Sequence, residues 1–230
     1  MTDRVNDEVL DAIRQLDGCT VSNAIETRGA RLRNEGFADG TIRCMFDDLP
    51  PVVGYAVTGR IRCSAPPPVG HSYHDRTDWW NYILSVPAPR IVVVEDIDDR
   101  PGLGAFIGHV HANILRALGC VAYATNGSVR DLPAVRQLGF QFFAKRVCIS
   151  HAFVHLVDYG QPIVVGGLAV KSGDIIYGDG HGLLTIPHAI AGDIPLVAAR
   201  MQEQEQRVVE LCQSPDFSLE RLRTLVRQLG

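Results

Sequence analysis

The sequence predicts an α/β fold with a β-rich core, flanking helices and further helices at the C-terminus. Residues 90–96 form a continuous apolar run that ends in acidic residues, which is typical of a strand buried in a parallel or mixed sheet. Residues 109–119 have the pattern of a helix closed by glycine, and the short apolar run 120–124 after it predicts a buried strand. Apolar residues recur at helical spacing over residues 194–212 and 218–229, which predicts two amphipathic helices.

The N-terminal half is predicted to begin with two helices. Apolar side chains at helical spacing cover residues 5–16, and a second helix over residues 20–29 is expected to be capped by Thr20 or Ser22 and stopped by Gly29. The further expected elements are a loop at 30–46, β-structure at 52–63, a proline-rich loop at 64–70 and a capped helix at 77–84.

The C-terminal half is predicted to be mostly β before its last two helices. A helix over residues 132–139 should begin at Asp131 and close at Gly139. Residues 151–157 fit a helix or a strand equally well. The expected strands are 141–145, 147–149, a pair within 162–170 and a pair within 173–187.

Composition excludes several classes of function. The 230 residues are 46% hydrophobic and 21% charged, with a net charge of −4 and no basic run, which argues against nucleic acid as the main partner. The acidic, polar N-terminus and the lack of a long apolar stretch predict a cytoplasmic protein that does not bind membranes. The cysteines have no close spacing and are expected to be reduced thiols; they are Cys19, Cys44, Cys63, Cys120, Cys148 and Cys212.

The strand–turn–helix stretch 119–131 is the strongest candidate for chemistry. Asn126-Gly127 is expected to turn the chain out of the strand, which places Arg130 and Asp131 beside the N-terminus of the next helix. A guanidinium near free backbone amides suits a small carboxylate, and a neighbouring carboxylate suits a hard divalent cation. An exposed turn with an ion pair and a helix cap explains the same residues equally well.

Other polar residues favour structural roles over a site. The acidic run 96–99 resembles a metal-binding loop, but a solvated turn at the end of a strand is the commoner explanation. His151 and His155 are expected in the core or an interface, and His181 in a structural or interfacial turn. The two tryptophans are expected to pack in the core and on the surface rather than bind a ligand; they are Trp79 and Trp80.

Several motifs in order resemble the RraA-like family, which includes the class II pyruvate aldolases for 4-hydroxy-4-methyl-2-oxoglutarate and 4-carboxy-4-hydroxy-2-oxoadipate. The motifs are the stretch 119–131, residues 162–168, Gly173-Asp174 and Asp179-Gly-His-Gly182. The resemblance covers residues 20–190 and implies one compact domain over 1–230, with residues 194–230 as C-terminal helices. It also implies a ring-shaped trimer or a hexamer with active sites between subunits.

The resemblance implies a metal-dependent carbon–carbon lyase acting on a small 2-oxo dicarboxylic acid through a pyruvate enolate. Arg130 would hold the keto oxygen, and Asp131 would bind magnesium, manganese or another divalent metal. Backbone amides at Gly108, His109 and Val110 would bind the substrate carboxylate. Other family members bind a protein without catalysis, so a ring-shaped regulator remains the alternative, as does different small-acid chemistry in the same pocket.

The chain departs from the aldolase pattern at three positions. His109 stands where the aldolases have an acidic residue before the Arg-Asp pair, and Ala134 stands where other members have one after it. Asn126-Gly127 replaces the usual Asp-Gly. A site with fewer carboxylates should bind magnesium more weakly, and His109 as a ligand would favour manganese, zinc or iron.

Overall fold

The architecture comes from a computed structural model that describes residues 4–67 and 76–229. The helices are α1 (Asp7–Arg14), α2 (Gly18–Thr27), α3 (Arg76–Ser85), α4 (His109–Ala117), α5 (Leu132–Leu138), α6 (Ile194–Gln213) and α7 (Leu219–Leu229), with a 3₁₀ helix at His188–Asp193. The strands are β1 (Arg43–Cys44), β2 (Val52–Arg62), β3 (Arg90–Asp96), β4 (Ala105–Ile107), β5 (Cys120–Val129), β6 (Gln141–Val147), β7 (His155–Tyr159), β8 (Ile163–Val165), β9 (Leu168–Val170), β10 (Ile175–Asp179) and β11 (Gly182–Ile186).

One mixed sheet organises the fold. Its strands lie in the order β1-β6-β5-β3-β2-β10-β11, while β4 pairs with β5, and β7 pairs with β2. The central strands β2, β3, β5 and β6 are parallel to one another. Their carboxyl ends therefore share one edge of the sheet, where ligand sites of α/β proteins are commonly built.

Both faces of the central strands are buried. Along β3, Val92 and Val94 belong to the larger apolar cluster, which also contains the inward side chains of the helices. Ile91 and Val93 belong to a second apolar cluster. It also contains four side chains of the β8–β9 hairpin, Ile163, Val165, Leu168 and Val170. A strand covered on both sides needs apolar residues at every position, and this explains the continuous run 91–94.

The predicted α/β class and the C-terminal helices are confirmed. The paired strands at 162–170 and 173–187 form the β8–β9 and β10–β11 hairpins. Gly119 and Gly139 follow α4 and α5 with φ of 74° and 70°, the left-handed conformation that closes a helix and favours glycine. No helix in the described ranges is both long and apolar enough to cross a membrane.

The predicted cap of the second helix is wrong. The helix begins earlier, at Gly18, and its cap is Asp17 rather than Thr20 or Ser22. One Asp17 oxygen accepts the Thr20 amide at 2.9 Å, and the other accepts the Thr20 hydroxyl at 2.6 Å. The longer reach of the carboxylate lets a single residue satisfy both donors of Thr20.

The predicted turn at Asn126-Gly127 is also wrong, because β5 continues through it to Val129. The Asn126 side chain replaces the missing strand pairing: its oxygen accepts the Asp96 amide at 2.7 Å, and its nitrogen donates to the Asp96 carbonyl at 3.0 Å. The register against β6 shifts between Thr125 and Ser128, so this dipeptide forms an irregularity within a strand.

Smaller differences concern segments without strong periodicity. The predicted loop at 30–46 contains β1 and an isolated bridge between Phe37 and Leu184. The strand candidate at 147–149 ends with β6 at Val147, and the ambiguous segment 151–157 becomes β-structure from His155. The predicted loop at 64–70 lies partly outside the described residues, from position 68 onwards.

Candidate functional site

A cavity of about 250 Å³ brings the predicted site residues together. Gly108, His109, Val110, Arg130 and Asp131 all line it. They come from two junctions, one between β4 and α4 and the other between β5 and α5. Because β4 and β5 pair in parallel, the two junctions lie side by side at the carboxyl edge of the sheet.

Asp131 is held in an unusual backbone conformation. Its φ of 60° and ψ of 33° are left-handed, a region that aspartate tolerates better than most residues. Asp131 precedes α5, as predicted, but its side chain makes no capping bond to that helix. Its Oδ2 instead accepts the His109 amide at 2.9 Å, so the carboxylate lies at the N-terminus of α4, where the helix dipole favours negative charge.

Arg130 presents a guanidinium whose hydrogen-bonding capacity is only partly used. Its Nη1 donates to the Ile149 carbonyl at 3.3 Å, and its Nε lies 3.7 Å from Asp131 Oδ2. This Nε is buried without a hydrogen-bond partner among the described residues. The side chain is 28% exposed, so it is neither a free surface arginine nor a saturated ion pair.

At Gly108 the backbone of the β4–α4 junction packs against the side chains of the β5–α5 junction. A Cβ at this position would lie 2.4 Å from Asp131 Oδ2 and 3.0 Å from Arg130 Nε. Its φ of −147° is extended, so glycine is required here for space rather than for conformation. The absent side chain lets the arginine and the aspartate pack directly against the start of α4.

The two tryptophans that the sequence assigned to packing also line the cavity. Trp79 is 1% exposed and stacks against Tyr82 with 6.2 Å between ring centroids, so it does pack in the core, but together with Trp80 it also forms cavity wall. Their indole nitrogens have no hydrogen-bond partner in the described part of the chain. His111 joins the wall from α4.

His151, which the sequence assigned to the core or an interface, also lines the cavity. Its Nδ1 lies 3.0 Å from the Ala105 carbonyl, and its own carbonyl would be 2.2 Å from a Cβ at Gly104. This close crossing of two distant segments leaves no periodic signal; the one hint in the sequence is the glycine at 104. His155 is buried in β7, as predicted for a core histidine.

His181 and Asp179 serve the first helices instead of the cavity. Asp179 accepts the Gly18 amide at 2.7 Å and the His181 amide at 2.8 Å, and it lies 3.4 Å from His181 Nδ1. The Tyr177 hydroxyl, which donates to Leu16, is a further neighbour of this carboxylate at 3.2 Å. The motif around His181 therefore anchors the start of α2 to the β10–β11 hairpin.

Asp96 and Asp98 are buried rather than solvated, which corrects the preferred interpretation of residues 96–99 at these two positions, while Asp99 is exposed. Within the described ranges, Cys63, Asp96 and Asp98 form the one group of three metal-ligand side chains whose ligand atoms lie within 4.8 Å of each other. The group could hold a divalent cation. Its carboxylates already accept hydrogen bonds: Asp98 from the Cys63 and Ser64 amides at 2.6 and 2.8 Å, and Asp96 from the Gly102 amide at 2.7 Å.

The pKa values of this group favour a structural role. Burial raises the pKa of the Cys63 thiol to about 12, with the Asp96 charge adding to the effect, so the thiol is neutral at pH 7. Burial also raises the pKa of Asp96. Burial acts in the same direction on Asp98, but hydrogen bonds from Cys63 and Ser64 outweigh it and lower the pKa of Asp98. A neutral thiol is a poor metal ligand, since binding requires the thiolate.

The sequence profile of the RraA-like family, described as Aldolase/RraA, matches residues 9–185, which include both junctions of the cavity. The chain belongs to the RraA-like family. A relative from Halalkalibacterium halodurans, provisionally named a 4-hydroxy-4-methyl-2-oxoglutarate aldolase, is 25% identical over 103 residues. That match covers 44% of this chain and 49% of the relative, so the chain spans about half the length of the relative.

Solved structures share the RraA-like fold. An uncharacterized protein from Pseudomonas syringae pv. tomato matches with a TM-score of 0.74 and 22% identity, covering 97% of this chain and 96% of that one. Streptomyces coelicolor RraAS2, described as an unusual member of the RNase ES inhibitor family RraA, matches with a TM-score of 0.69 and 21% identity. That match covers 89% of this chain and 96% of RraAS2. At these identities the two structures establish the fold alone.

Proposed function

We propose that this RraA-like protein is a metal-dependent carbon–carbon lyase that acts on a small 2-oxo acid through a pyruvate enolate. The dicarboxylic substrates of the aldolase branch are the first class to consider. The observation that carries the proposal is the partly unsatisfied guanidinium of Arg130, held beside Asp131 in a cavity at the carboxyl edge of the sheet. Buried donors without partners are rare in proteins, and at a cavity they suggest a ligand.

Arg130 and the first turn of α4 can bind a 2-oxo acid together. The first amides of a helix have no intrahelical acceptor and attract anions. The His109 amide is occupied by Asp131, so the Val110 amide is the better candidate for the substrate carboxylate. Arg130 would then face the keto oxygen, where its charge stabilises the negative charge that develops as the carbon–carbon bond breaks.

The Asp131 carboxylate can supply one oxygen ligand to a metal ion. The His109 amide and Arg130 Nε both approach Oδ2 of this carboxylate, which leaves Oδ1 for a cation. Magnesium often binds through one carboxylate while keeping several waters, and His109, exposed at the start of α4, would add a ligand suited to manganese or zinc. When bound, the cation would polarise the keto group as a Lewis acid.

The alternative of a non-catalytic regulator predicts no use for the arginine in the cavity. Binding a protein depends on the outer surface, and a protein that had only this role would lose nothing when Arg130 changed. Replacing Arg130 therefore distinguishes the lyase proposal from the regulator alternative.

The test is oxaloacetate decarboxylation by metal-stripped protein, with magnesium, manganese or zinc added back. We expect metal-dependent turnover in the unchanged protein and a loss of about a hundredfold or more in Arg130→Ala, since removing one donor to a developing anion commonly costs that much. The melting temperature should change little, because Arg130 makes one long hydrogen bond.

Arg136→Ala is the matched control. Arg136 lies on α5, six residues from Arg130, and pairs with Asp48 on the surface at 2.9 Å. Its loss should leave turnover unchanged. Equal turnover in Arg130→Ala and Arg136→Ala would remove Arg130 from the mechanism, and no turnover with any of the three metals would favour the regulator.

A further inference from the structure

The cavity has an extensive apolar wall beyond the two charged junctions. Its side chains come from α3, β4, α4, β7 and the residue that precedes β7. They are Trp79, Trp80, Phe106, Ile114, Val154 and Leu156. Leu156 and Trp79 are almost fully buried, and the others are partly buried, so the wall is continuous with the main core.

The polar side chains of the lining are three histidines and one charged pair. The histidines are His109, His111 and His151, and the Nδ1 atoms of His111 and His151 lie 3.1 and 3.0 Å from the Phe106 and Ala105 carbonyls. Arg130 is the one arginine or lysine among the described residues that line the cavity, and Asp131 is the one carboxylate. The first carboxylate of a 2-oxo acid would be matched by Arg130 and the start of α4. A second carboxylate placed against the apolar wall would lose its hydration there, which is costly, whereas an apolar group would gain from the same burial.

We infer that the 2-oxo acid taken by this cavity ends in an aryl or branched alkyl group rather than in a second carboxylate. The inference rests on the proposed function for the position of the 2-oxo acid at Arg130. Trp80 and Phe106 are partly exposed and give the wall aromatic surface, which favours an aryl group. The volume of about 250 Å³ restricts the occupant to a small molecule.

The corresponding reaction is the cleavage of a 4-hydroxy-2-oxo acid that carries the apolar group on its fourth carbon. The hydroxyl proton passes to water as the bond between the third and fourth carbons breaks. The electron pair of that bond forms the enolate of pyruvate, which then takes up one proton at the third carbon. The fourth carbon leaves as the carbonyl of an apolar aldehyde, and no oxidant or reductant is needed.

A pair of uncleavable probes isolates the far end of the ligand. In 2-oxo-4-phenylbutanoate a phenyl group replaces the second carboxylate of 2-oxoglutarate, and the rest of the two molecules is identical. The only two tryptophans of the chain both line the cavity, so their fluorescence reports binding directly. We expect the phenyl compound to bind at least about tenfold more tightly, with pyruvate competing against both.

A cation placed on the apolar wall should reverse the preference. Val154→Lys should weaken binding of the phenyl compound and strengthen binding of 2-oxoglutarate, each by about tenfold. Since Val154 is half-buried, Val110→Lys is a second variant at a lining residue that is 73% exposed and tolerates a long polar side chain. Val226→Lys, at a half-exposed residue of α7, is the control and should change neither affinity.

The outcomes separate this inference from the proposed function. If pyruvate and 2-oxoglutarate bind and oxaloacetate is decarboxylated, but the phenyl compound binds no better than 2-oxoglutarate, the apolar substrate class is wrong and the lyase stands. If Val154→Lys and Val110→Lys both leave the preference unchanged, the far end of the ligand does not lie against this lining, and the inference is wrong. If no 2-oxo acid binds, both proposals fail.

Discussion

Gly108, Arg130 and Asp131 pack against one another, and each restricts the position of another. The left-handed Asp131 directs its carboxylate to the α4 amide, and the bare backbone of Gly108 leaves room for that carboxylate and for Arg130. Left-handed backbone at residues other than glycine is costly and persists where the surroundings enforce it, often at functional sites. The group can therefore hold its geometry before any ligand binds.

Gly108→Ala should disrupt the site without unfolding the protein. The added Cβ would meet Asp131 Oδ2 at 2.4 Å and Arg130 Nε at 3.0 Å, so both side chains must shift. A displacement of about 1 Å can cost about a hundredfold in rate. We expect a loss of that size in metal-dependent decarboxylation, with about 1–3 kcal/mol lost from the free energy of unfolding.

Gly40→Ala provides the comparison, since nothing lies within 4 Å of a Cβ built at Gly40. This variant should keep full activity. Full activity in Gly108→Ala would show that the close packing of Arg130 and Asp131 against α4 is not needed for turnover.

Single residues were predictable where the chemistry is local. The pairing of Arg130 with Asp131 at a strand–helix junction follows from the sequence, and so does the glycine that closes α5. The bond from Asp131 to His109 does not, because it joins residues 22 positions apart through a backbone conformation that no periodic pattern encodes. The sequence therefore located the candidate site but did not give its internal geometry.

At the scale of elements, the loop after β3 is ordered by two buried carboxylates with opposite pKa shifts. Asp98 bonds the amides of Cys63 and Ser64 at the end of β2, while Asp96 bonds the amide of Gly102 within its own loop. These bonds join the carboxyl ends of neighbouring parallel strands. The predicted solvated turn is wrong because Asp98 finds its donors in a segment distant along the sequence, while Asp96 is buried with the Gly102 amide.

The lowered pKa of Asp98 predicts an acid-dependent loss of stability. Since its pKa is lower in the folded state, the ionised carboxylate stabilises the fold above its unfolded pKa of about 3.9, and this contribution is lost as the pH falls through the folded value. Asp98→Asn should lower the free energy of unfolding by about 1–2 kcal/mol at pH 7. In urea denaturation, the difference from the unchanged protein should persist from pH 7 to pH 5 and shrink below about pH 4.

Asp99→Asn is the control for Asp98→Asn, because Asp99 is exposed and adjacent. It should behave like the unchanged protein at every pH. A difference between Asp98→Asn and the unchanged protein that stays constant into the acid range would mean that the charge of Asp98 is not what holds the loop.

Elements marked by a regular pattern of apolar residues were predicted correctly. Features that depend on contacts with distant parts of the chain were not. The apolar run of β3, the hairpins at 162–187 and both C-terminal helices are strong local patterns, and they are confirmed. Asn126-Gly127 has the signal of a turn, but the Asn126 amide group bonds the backbone of Asp96 on both sides and keeps the chain extended. A long-range pair of hydrogen bonds outweighed a local preference.

For the whole molecule, several exposed apolar side chains lie in segments next to cavity-lining residues: Phe153 precedes Val154, and the Ile149 carbonyl accepts a hydrogen bond from Arg130. Leu103, Val147, Ile149 and Phe153 are all more than half exposed, with Ile149 at 94%. The segments that carry Leu103 and Ile149 are joined by a bond from the Ala105 amide to the Ser150 carbonyl. An exposed apolar patch beside a site is characteristic of a subunit interface. The apolar stripe of α6 is partly used by the core instead, since Val197 and Met201 pack against it.

The last prediction is that the protein is a homo-oligomer, a trimer or hexamer, whose interface covers this patch. Ile149→Arg should convert the assembly to smaller species at micromolar concentration in sedimentation velocity, because an arginine cannot be buried there without a partner. Val226→Arg makes the same change on α7, where the side chain is 53% exposed, and should leave the assembly intact. Dissociation by Val226→Arg alone would move the interface to the C-terminal helices, and a monomeric unchanged protein would contradict the prediction. If the interface does border the cavity, Ile149→Arg should also lower decarboxylation, and turnover should rise with protein concentration as the variant is driven to reassemble.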